Sequence, residues 1–355
     1  MNEEKTPLNP KDDDAHEDVI QVLDLYQTRE RIQTRKLPGF FRDLRRWTWI
    51  PILSAYFLLP WLNIAGRQAI WFDLPARKFH IFWITFWPQD FMLLAWALII
   101  SAFALFTATV LIGRVWCGFS CPQTVWTMLF MSIEDWCEGD RNQRIKLDQS
   151  PWDMNKLKRR GSKFFLWGLL AFVTSLTFVG YYNPIRELVP ELFSFTAHPA
   201  AVFWVFFFGV MTFMNAGFLR EQVCLYMCPY ARFQSVMFDK DTLVVSYNAE
   251  RGEPRGARKR SVDHAAEGKG DCVDCSLCVQ VCPTGIDIRD GLQYECIDCG
   301  LCIDACNTVM EKMDYEPGLI QFTTEHAMKH GETHILRPRF IGYVVALTVM
   351  VGAFG

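Results

Sequence analysis

The sequence predicts an α-helical integral membrane protein, with four complete spans and a truncated fifth, that carries an inserted bacterial-type two-cluster ferredoxin domain of the α+β class. Two observations predict this fold. Apolar residues gather in stretches of about 20, the length that crosses a bilayer as a helix, and eight of the 13 cysteines fall in two short runs. Of the 355 residues 51% are hydrophobic, and the net charge of −3 gives no reason to expect a nucleic-acid partner.

Four apolar stretches contain no charged residue and are long enough to span a membrane: residues 47–64, 91–112, 164–182 and 199–219. A fifth stretch begins at residue 340 and is still apolar at residue 355, so we expect the start of a truncated fifth span. Residues 79–87, FHIFWITFW, are too short to span, and their aromatic side chains are typical of the membrane interface.

Basic residues predict the orientation, because cytoplasmic loops are enriched in lysine and arginine. Residues 29–46 hold seven of them, residues 66–88 three, residues 113–163 nine and residues 183–198 one. This alternation predicts that the N-terminus and the long segment after Arg220 both lie in the cytoplasm.

The chain is therefore predicted to have four parts. They are a cytoplasmic N-terminal arm (1–46), a four-helix transmembrane domain (47–240), a cytoplasmic ferredoxin domain (241–338) and the start of a fifth transmembrane helix (339–355). No signal peptide is visible in the first 28 residues, which are polar and acidic and are expected to be disordered.

Two cysteine runs predict the ferredoxin domain. The first cysteine run, residues 272–283, reads CVDCSLCVQVCP, and the second, residues 296–307, reads CIDCGLCIDACN. Both have the bacterial ferredoxin spacing for two 4Fe-4S clusters, in which the fourth cysteine of each run binds the cluster of the other. The first ligand set is predicted to be Cys272, Cys275, Cys278 and Cys306, and the second Cys296, Cys299, Cys302 and Cys282. Zinc is the alternative, although structural zinc sites rarely repeat this spacing.

Two further cysteine pairs, each followed directly by a proline, come just after apolar stretches. They are the first cysteine turn, Cys117-x3-Cys121-Pro122, and the second cysteine turn, Cys224-x3-Cys228-Pro229. The turns lie 107 residues apart, and an arginine precedes each, Arg114 and Arg220. This spacing predicts an internal repeat of a helix pair and a turn. Such repeats in membrane proteins often place the functional site on their pseudo-symmetry axis.

The cysteine turns are candidate metal or redox sites. Residues i and i+4 of a helical turn share one face, so each pair is able to hold a metal, and each proline would begin the next helix. Four thiolates together favour Cu(I), a further iron–sulfur cluster or zinc. The pairs would otherwise cycle between dithiol and disulfide, or be small buried side chains. Cys137 has no partner at ligand spacing.

Histidines and nucleotide motifs give weaker signals. His80 and His198 precede the second and fourth spans near the predicted outer face, where we expect hydrogen bonds rather than haem or copper ligation. The sequence contains neither Cys-x-x-Cys-His nor Gly-x-Gly-x-x-Gly, so covalent c-type haem and a bound nucleotide are not expected.

Loop motifs extend the comparison beyond a generic ferredoxin. Four motifs accompany the two cysteine runs: GRVWCGFSCPQTVW (113–126), WFDLPARKFHIFW (71–83), EGDR (138–141) and VGYYNPIREL (179–188). Together, these motifs and runs resemble the CcoG family of cytochrome c oxidase accessory proteins, also called FixG or RdxA. The resemblance covers nearly the whole chain from residue 47. It implies a bacterial inner-membrane protein that helps to assemble the cbb-type haem–copper oxidase.

The resemblance also implies a reaction, the reduction of Cu(II) to Cu(I) before copper delivery. On that basis Cys117, Cys121, Cys224 and Cys228 are the expected copper-binding and catalytic residues, two 4Fe-4S clusters are the cofactors, and copper is the substrate. The expected partners are a cytoplasmic electron donor, a copper chaperone or transporter, and oxidase assembly factors. The oligomeric state is left open, with a homodimer as one alternative.

Two other functions fit the same motifs. The first is a membrane quinol dehydrogenase subunit similar to the NapH and NosR proteins, which share four spans, Cys-x3-Cys-Pro motifs and two 4Fe-4S clusters. The second is a non-enzymatic assembly scaffold whose clusters only stabilise the cytoplasmic domain.

Overall fold

In a computed structural model of the protein, residues 32–260 and 268–354 are described, and they are mostly helical. The predicted disordered arm, residues 1–28, lies outside these ranges. The helices are α1 (Phe40–Leu58), α2 (Phe91–Ile112), α3 (Val115–Phe119), α4 (Pro122–Glu138), α5 (Arg141–Gln149), α6 (Met154–Gly180), α7 (Ile185–Phe193), α8 (Pro199–Met214), α9 (Pro229–Met237), α10 (Ala249–Gly252), α11 (Leu277–Gln280), α12 (Leu301–Met313), α13 (Glu325–His330) and α14 (Pro338–Phe354).

The strands of the described residues form small antiparallel sheets. They are β1 (Asn63–Ile64), β2 (Arg67–Gln68), β3 (Ile70–Asp73), β4 (Lys78–Ile81), β5 (Ile84–Phe86), β6 (Val244–Tyr247) and β7 (Ile320–Thr323). β1 pairs with β2, the strands β3, β4 and β5 form a meander, and β6 pairs with β7. The last pair joins two segments that are distant in sequence, on either side of the cysteine runs.

Within the described part of the chain, three helices are long and apolar enough to cross a membrane. They are Pro88–Ile112, which contains α2, Met154–Gly180, which is α6, and Pro199–Leu219, which joins α8 to a π-helical turn. These helices coincide with the second, third and fourth predicted spans. α14 is also apolar, but it has only 17 residues and packs against α2.

The first predicted span, residues 47–64, differs from the structure. Helix α1 begins earlier, at Phe40 inside the predicted arm, and ends at Leu58. Pro60 lies in the 3-10 turn that follows, and the final residues of the predicted span form β1. Proline lacks the backbone donor and disfavours helix in the residue before it, so Pro60 ends α1 short of the predicted length.

Residues 79–87, expected at the membrane interface, form most of the meander. Phe79 pairs with Phe72 on one side and with Phe86 on the other. The backbone N–H of Phe72 donates to the carbonyl of Tyr181 over 2.8 Å, just beyond the end of α6. The meander is therefore attached to the end of the bundle opposite to the basic first turns of α6.

Trp167 lies at the centre of the helix bundle. Its side chain is fully buried between α4, α6 and the π-helical turn after α8, beside Phe130 and Ala216. The indole Nε1 donates to the carbonyl oxygen of Phe130 over 2.9 Å. A Cβ atom on Gly217 would lie 3.1 Å from the indole ring, so glycine lets the chain pass close to this ring.

The ferredoxin domain packs its core around the cysteine runs. Val245 on β6, Ile303 and Met310 on α12, and Ile320 on β7 are buried with Cys272 and Cys278. The start of α1 is fastened to this domain, because the backbone N–H groups of its first turn donate to a buried carboxylate on α12. These bonds run from Phe41 N and Arg42 N to Asp304, over 3.2 and 3.0 Å.

Candidate functional site

Both cysteine runs have the same backbone shape. Left-handed residues occupy the positions between the first and second and between the second and third cysteines: Asp274 and Ser276 in the first run, Asp298 and Gly300 in the second. Alternating right- and left-handed residues turn successive N–H groups inward and form a concave anion-binding nest, a feature of many iron–sulfur sites. The runs therefore fit 4Fe-4S clusters in backbone shape as well as in donor chemistry.

The cysteines approach one another in two groups. The thiol of Cys306 lies within electrostatic reach of Cys278, Cys272 and Cys275. The thiol of Cys282 lies within reach of Cys299 and Cys302. Each fourth cysteine thus lies beside the other run, as the exchange of ligands between runs requires.

Burial makes these thiols hard to ionise without a metal. It raises the pKa of Cys306 to about 12 and that of Cys278 to about 11. A cavity lies among the second ligand set and is lined by Cys278, Cys282, Cys296, Cys299 and Cys302. A bound metal deprotonates its thiol ligands outright. Bound iron would therefore stabilise the negative charge of these sulfurs, which are buried away from water.

Matched cysteine variants test the two ligand sets. We expect Cys275→Ser and Cys306→Ser to lose or alter the same cluster, with about half of the iron and sulfide at risk in each. Cys282→Ser should instead give the defect of Cys299→Ser. Iron content and electron paramagnetic resonance (EPR) spectra of the reduced proteins measure this, with Cys137→Ser as the control. If Cys306→Ser matches Cys299→Ser, the ligands are not exchanged between the runs.

Each cysteine turn ends at the proline that begins the next helix, as predicted. Cys121 is extended and caps α4, whose first residue is Pro122. Cys228 is likewise extended and caps α9, whose first residue is Pro229. The first cysteines differ, because Cys117 lies in the short helix α3 and Cys224 in the π-helical turn Val223–Met227.

The internal repeat is visible in the backbone before each turn. Gly113 and Arg220, 107 residues apart, cap the two spanning helices with similar left-handed conformations, φ 59° and φ 41°. The arginines that precede the turns, Arg114 and Arg220, therefore lie at different positions of the repeat, because Arg220 corresponds to Gly113. A Cβ atom on Gly113 would lie 2.7 Å from Asp298 Oδ2, so this position requires glycine in the first half.

The structure places the four turn cysteines in the same region. Cys117 lies within electrostatic reach of Cys121, Cys224 and Cys228. Burial raises the pKa of Cys117 and that of Cys224 to about 12, and the neighbouring thiols add to both shifts. All four cysteines are free, without a disulfide. Cys117 Sγ donates to Oε1 of the buried Gln234 over 3.3 Å.

In this structure the four thiols do not form a site for a single metal ion. Within the described ranges no three His, Cys, Asp or Glu side chains converge closely enough to hold one metal ion. The same holds for both ligand sets, which are suited to a cluster larger than one ion. A copper ion would therefore have to draw the turn cysteines inward.

The first cysteine turn packs directly on the second cysteine run. A Cβ atom on Gly118 would lie 2.6 Å from the carbonyl oxygen of Ile297 and 3.1 Å from Cα of Cys299. The N–H of Arg114 donates to Asp298 Oδ2 over 2.9 Å, and the N–H of Val245 donates to the other carboxylate oxygen over 3.1 Å. Glycine thus allows backbone contact between the first cysteine turn and the second cysteine run.

The side chain of Arg114 holds the same junction together. Its guanidinium donates to the carbonyl oxygens of Tyr294 and Ala231, and more weakly to that of Cys296 at 3.4 Å. Tyr294 and Cys296 belong to the second cysteine run and its approach, whereas Ala231 lies on α9, just after the second cysteine turn. One buried cation therefore ties both turns to the ferredoxin domain.

A buried network of charges lies beside the second turn, and the sequence analysis did not foresee it. Glu134 on α4 contacts Arg220 at 2.7 Å, Arg144 at 3.5 Å and Lys163 at 3.7 Å. Lys163 also contacts Glu138 at 2.6 Å. All five side chains are at most 6% exposed, so their charges are compensated within the protein.

The two histidines near the predicted outer face form hydrogen bonds, as expected. His80 Nδ1 lies 2.9 Å from Thr85 Oγ1 between neighbouring strands. The ring of His198 accepts a bond from the N–H of Ala200 at 3.3 Å and caps α8. Both rings therefore have local structural partners.

Known protein families match the cysteine-containing regions. A family model described as a 4Fe-4S dicluster domain matches residues 219–325, which include both cysteine runs and the second cysteine turn. A model described as a 4Fe-4S binding domain matches residues 94–133, which include the first cysteine turn. No solved structure gives a significant match.

Curated relatives are similar over most of the chain. The nitrogen fixation protein FixG of Rhizobium meliloti is 43% identical over 305 residues, which are 84% of this chain and 58% of FixG. Protein RdxB of Cereibacter sphaeroides is 41% identical over 354 residues, 94% of this chain and 74% of RdxB. Protein RdxA of the same organism is 42% identical, over 87% of this chain and 66% of RdxA. The chain thus spans less than two thirds of FixG and of RdxA.

Apolar helices of spanning length and two matches to 4Fe-4S families define the class of this protein, a membrane iron–sulfur protein. Within that class, the chain belongs to the FixG/RdxA family. The family expected from the loop motifs is confirmed.

Proposed function

We propose that this protein is a cupric reductase of the bacterial inner membrane, which reduces Cu(II) to Cu(I) for assembly of the cbb-type cytochrome c oxidase. The observation that carries the proposal is the contact between the first cysteine turn and the second cysteine run at Gly118. It gives electrons held on the ferredoxin domain a direct route to four gathered thiols.

The ferredoxin domain would hold the electron carriers. Cys272, Cys275, Cys278 and Cys306 would bind one 4Fe-4S cluster and Cys282, Cys296, Cys299 and Cys302 the other. When bound, the clusters would accept single electrons from a cytoplasmic one-electron donor. Cys275 is exposed, whereas Cys299 is buried against Gly118. The first ligand set would therefore face the donor and the second the cysteine turns.

The four turn cysteines would hold the substrate, copper. Soft thiolates prefer Cu(I) to Cu(II), so copper held by them is more readily reduced by one electron. Burial raises the pKa of Cys117 and Cys224, and thiols must lose their protons to bind a metal, so copper binding would release protons. Reduced copper would then pass to a copper chaperone or transporter that serves oxidase assembly.

The proposed topology has four spans, the start of a fifth, and an inserted ferredoxin domain in the cytoplasm. It is supported by the basic residues of the N-terminal segment and of residues 113–163. It is also supported by the position of both cysteine turns directly after spanning helices, on the ferredoxin side of the bundle. Packing of α14 against α2 supports a fifth span.

A second candidate is favoured by one observation. The model described as a 4Fe-4S binding domain covers Cys117 and Cys121, so the turn cysteines would hold a third cluster instead of copper. Such a chain of clusters suits a quinol-linked electron carrier like the quinol dehydrogenase subunits considered above.

An anaerobic copper assay separates these functions. The purified protein is reduced until its visible cluster absorbance bleaches, the reductant is removed, and Cu(II) is added with a Cu(I)-specific chelator. We expect cluster reoxidation in step with Cu(I) formation, and loss of both in Cys117→Ala and Cys224→Ala but not in Cys137→Ala. Reoxidation by a quinone without Cu(I) formation would refute the copper function and support the quinol-linked one. If variants without clusters still support oxidase assembly, the scaffold alternative holds.

A further inference from the structure

Arg45 on α1 is a buried cation without a hydrogen-bond partner. Its side chain is 1% exposed, and among the described residues none of its three guanidinium nitrogens has a hydrogen-bond acceptor or access to water. The Cζ atom of Arg45 lies over the ring of Trp49, 5.2 Å from the ring centroid. A cation–π contact compensates only part of the cost of burying a charge. The protein therefore needs a further negative partner at this place.

The packing of α1 directs Arg45 toward the second cysteine run. Phe41, four residues earlier on the same helical face, packs on the run so closely that a Cβ atom on Gly300 would lie 2.5 Å from its ring. Arg45 itself lies within electrostatic reach of Cys299, and Cys299 is buried. The guanidinium therefore faces the place where the second ligand set would hold its cluster.

A dissolved anion does not explain the unpaired guanidinium. Arg45 lines a cavity together with Arg42, Arg46 and Trp49. Each of its nitrogens is nevertheless closed to water, so a small anion in that cavity has no access to them. The compensating charge has to come from within the protein.

We infer that Arg45 is the counter-charge of the cluster held by the second ligand set, with its guanidinium directed at the sulfur atoms of that cluster and its cysteines. A cluster with four thiolate ligands is anionic and becomes more so on reduction, so a buried cation stabilises the reduced form and raises the reduction potential. The electron would thereby be favoured on the cluster nearest to the first cysteine turn. The inference rests on the proposed ligand set and not on copper chemistry.

A redox titration followed by EPR tests the inference. In Arg45→Gln we expect the reduction potential of one cluster to fall while that of the other stays in place. Arg45→Lys keeps the charge and should restore part of the shift. Arg46→Gln changes an exposed arginine on the same helix, 56% exposed, and should move neither potential. Two unchanged potentials in an Arg45→Gln protein with full iron content would overturn the inference.

A second measurement needs no variant. Wild-type protein labelled with 15N-arginine should show a nitrogen coupling to one reduced cluster in pulsed EPR, because the guanidinium donates to its sulfurs. Absence of this coupling overturns the inference even if Arg45→Gln fails to assemble its clusters. Failure of the ligand sets would appear separately in the paired cysteine variants, and failure of the copper function only in the chelator assay.

Discussion

Replacing Gly118 with valine is expected to slow electron transfer between the ferredoxin domain and the cysteine turns while leaving both folded. The new Cβ atom would lie 2.6 Å from the carbonyl oxygen of Ile297 and 3.0 Å from that of Asp298. Neither oxygen belongs to a flexible side chain, so the two backbones have to move apart. Electron transfer slows as the distance between its centres grows, so we expect a loss of several-fold or more in rate.

The measurement is the rate at which Cu(II) reoxidises the reduced protein in the chelator assay. Gly161→Val is the matched control, because a Cβ atom at Gly161 on α6 meets nothing within 4 Å. Iron content shows whether the clusters are retained. A Gly118→Val protein with full iron and a wild-type rate would show that electrons do not cross at this contact.

Replacing Glu134 with glutamine is expected to give the largest loss of stability. Glu134 lies within 4 Å of three buried cations, Arg144, Lys163 and Arg220. Removing one partner of a buried ion pair costs about 3–5 kcal/mol, because the remaining charge is uncompensated. Glu138 and Asp135 would still contact two of these cations, so we expect the effect to concentrate on Arg220.

Thermal denaturation of the detergent-solubilised protein measures this loss, with the exposed Glu187→Gln on α7 as control. Because Arg220 precedes the second cysteine turn, Glu134→Gln should also make Cys224 and Cys228 react faster with a thiol reagent. Cys275, on the far ferredoxin run, should react as in the wild type. A Glu134→Gln protein as stable as Glu187→Gln would mean that the network carries no net stability.

The sequence predicted the parts of the site but not how they meet. Cysteine spacing indicated the runs and the turns, because these motifs are local and their backbone shapes follow from a few residues. The contact of Gly118 with Ile297 joins segments about 180 residues apart, and it depends on how the ferredoxin domain docks on the bundle. No local pattern encodes that docking. The only local sign of this docking in the sequence was Gly118, the glycine that directly follows Cys117.

Three of the basic residues used in the orientation prediction have surroundings that the sequence did not reveal. Arg45, Arg144 and Lys163 were counted as basic residues of cytoplasmic segments, and the orientation prediction used them as such. In the structure all three are buried, at most 2% exposed. A lone sequence does not distinguish an arginine that faces lipid headgroups from one that faces a cluster or a buried carboxylate, because both follow an apolar helix end. The predicted bounds of the first span ran past the end of α1, because Pro60 was treated as tolerated within a membrane helix.

Gly113 and Arg220 occupy corresponding positions of the two cysteine turns but have different partners. They share a backbone conformation but not surroundings: Gly113 lies against Asp298 of the ferredoxin domain, and Arg220 is held by Glu134 inside the bundle. Exchanging them would force a guanidinium into the domain junction and leave a buried carboxylate without its partner. The two halves have thus specialised as a docking half and an anchoring half. The ferredoxin domain is thereby packed against the first of two similar turns, and the second is tied to the bundle.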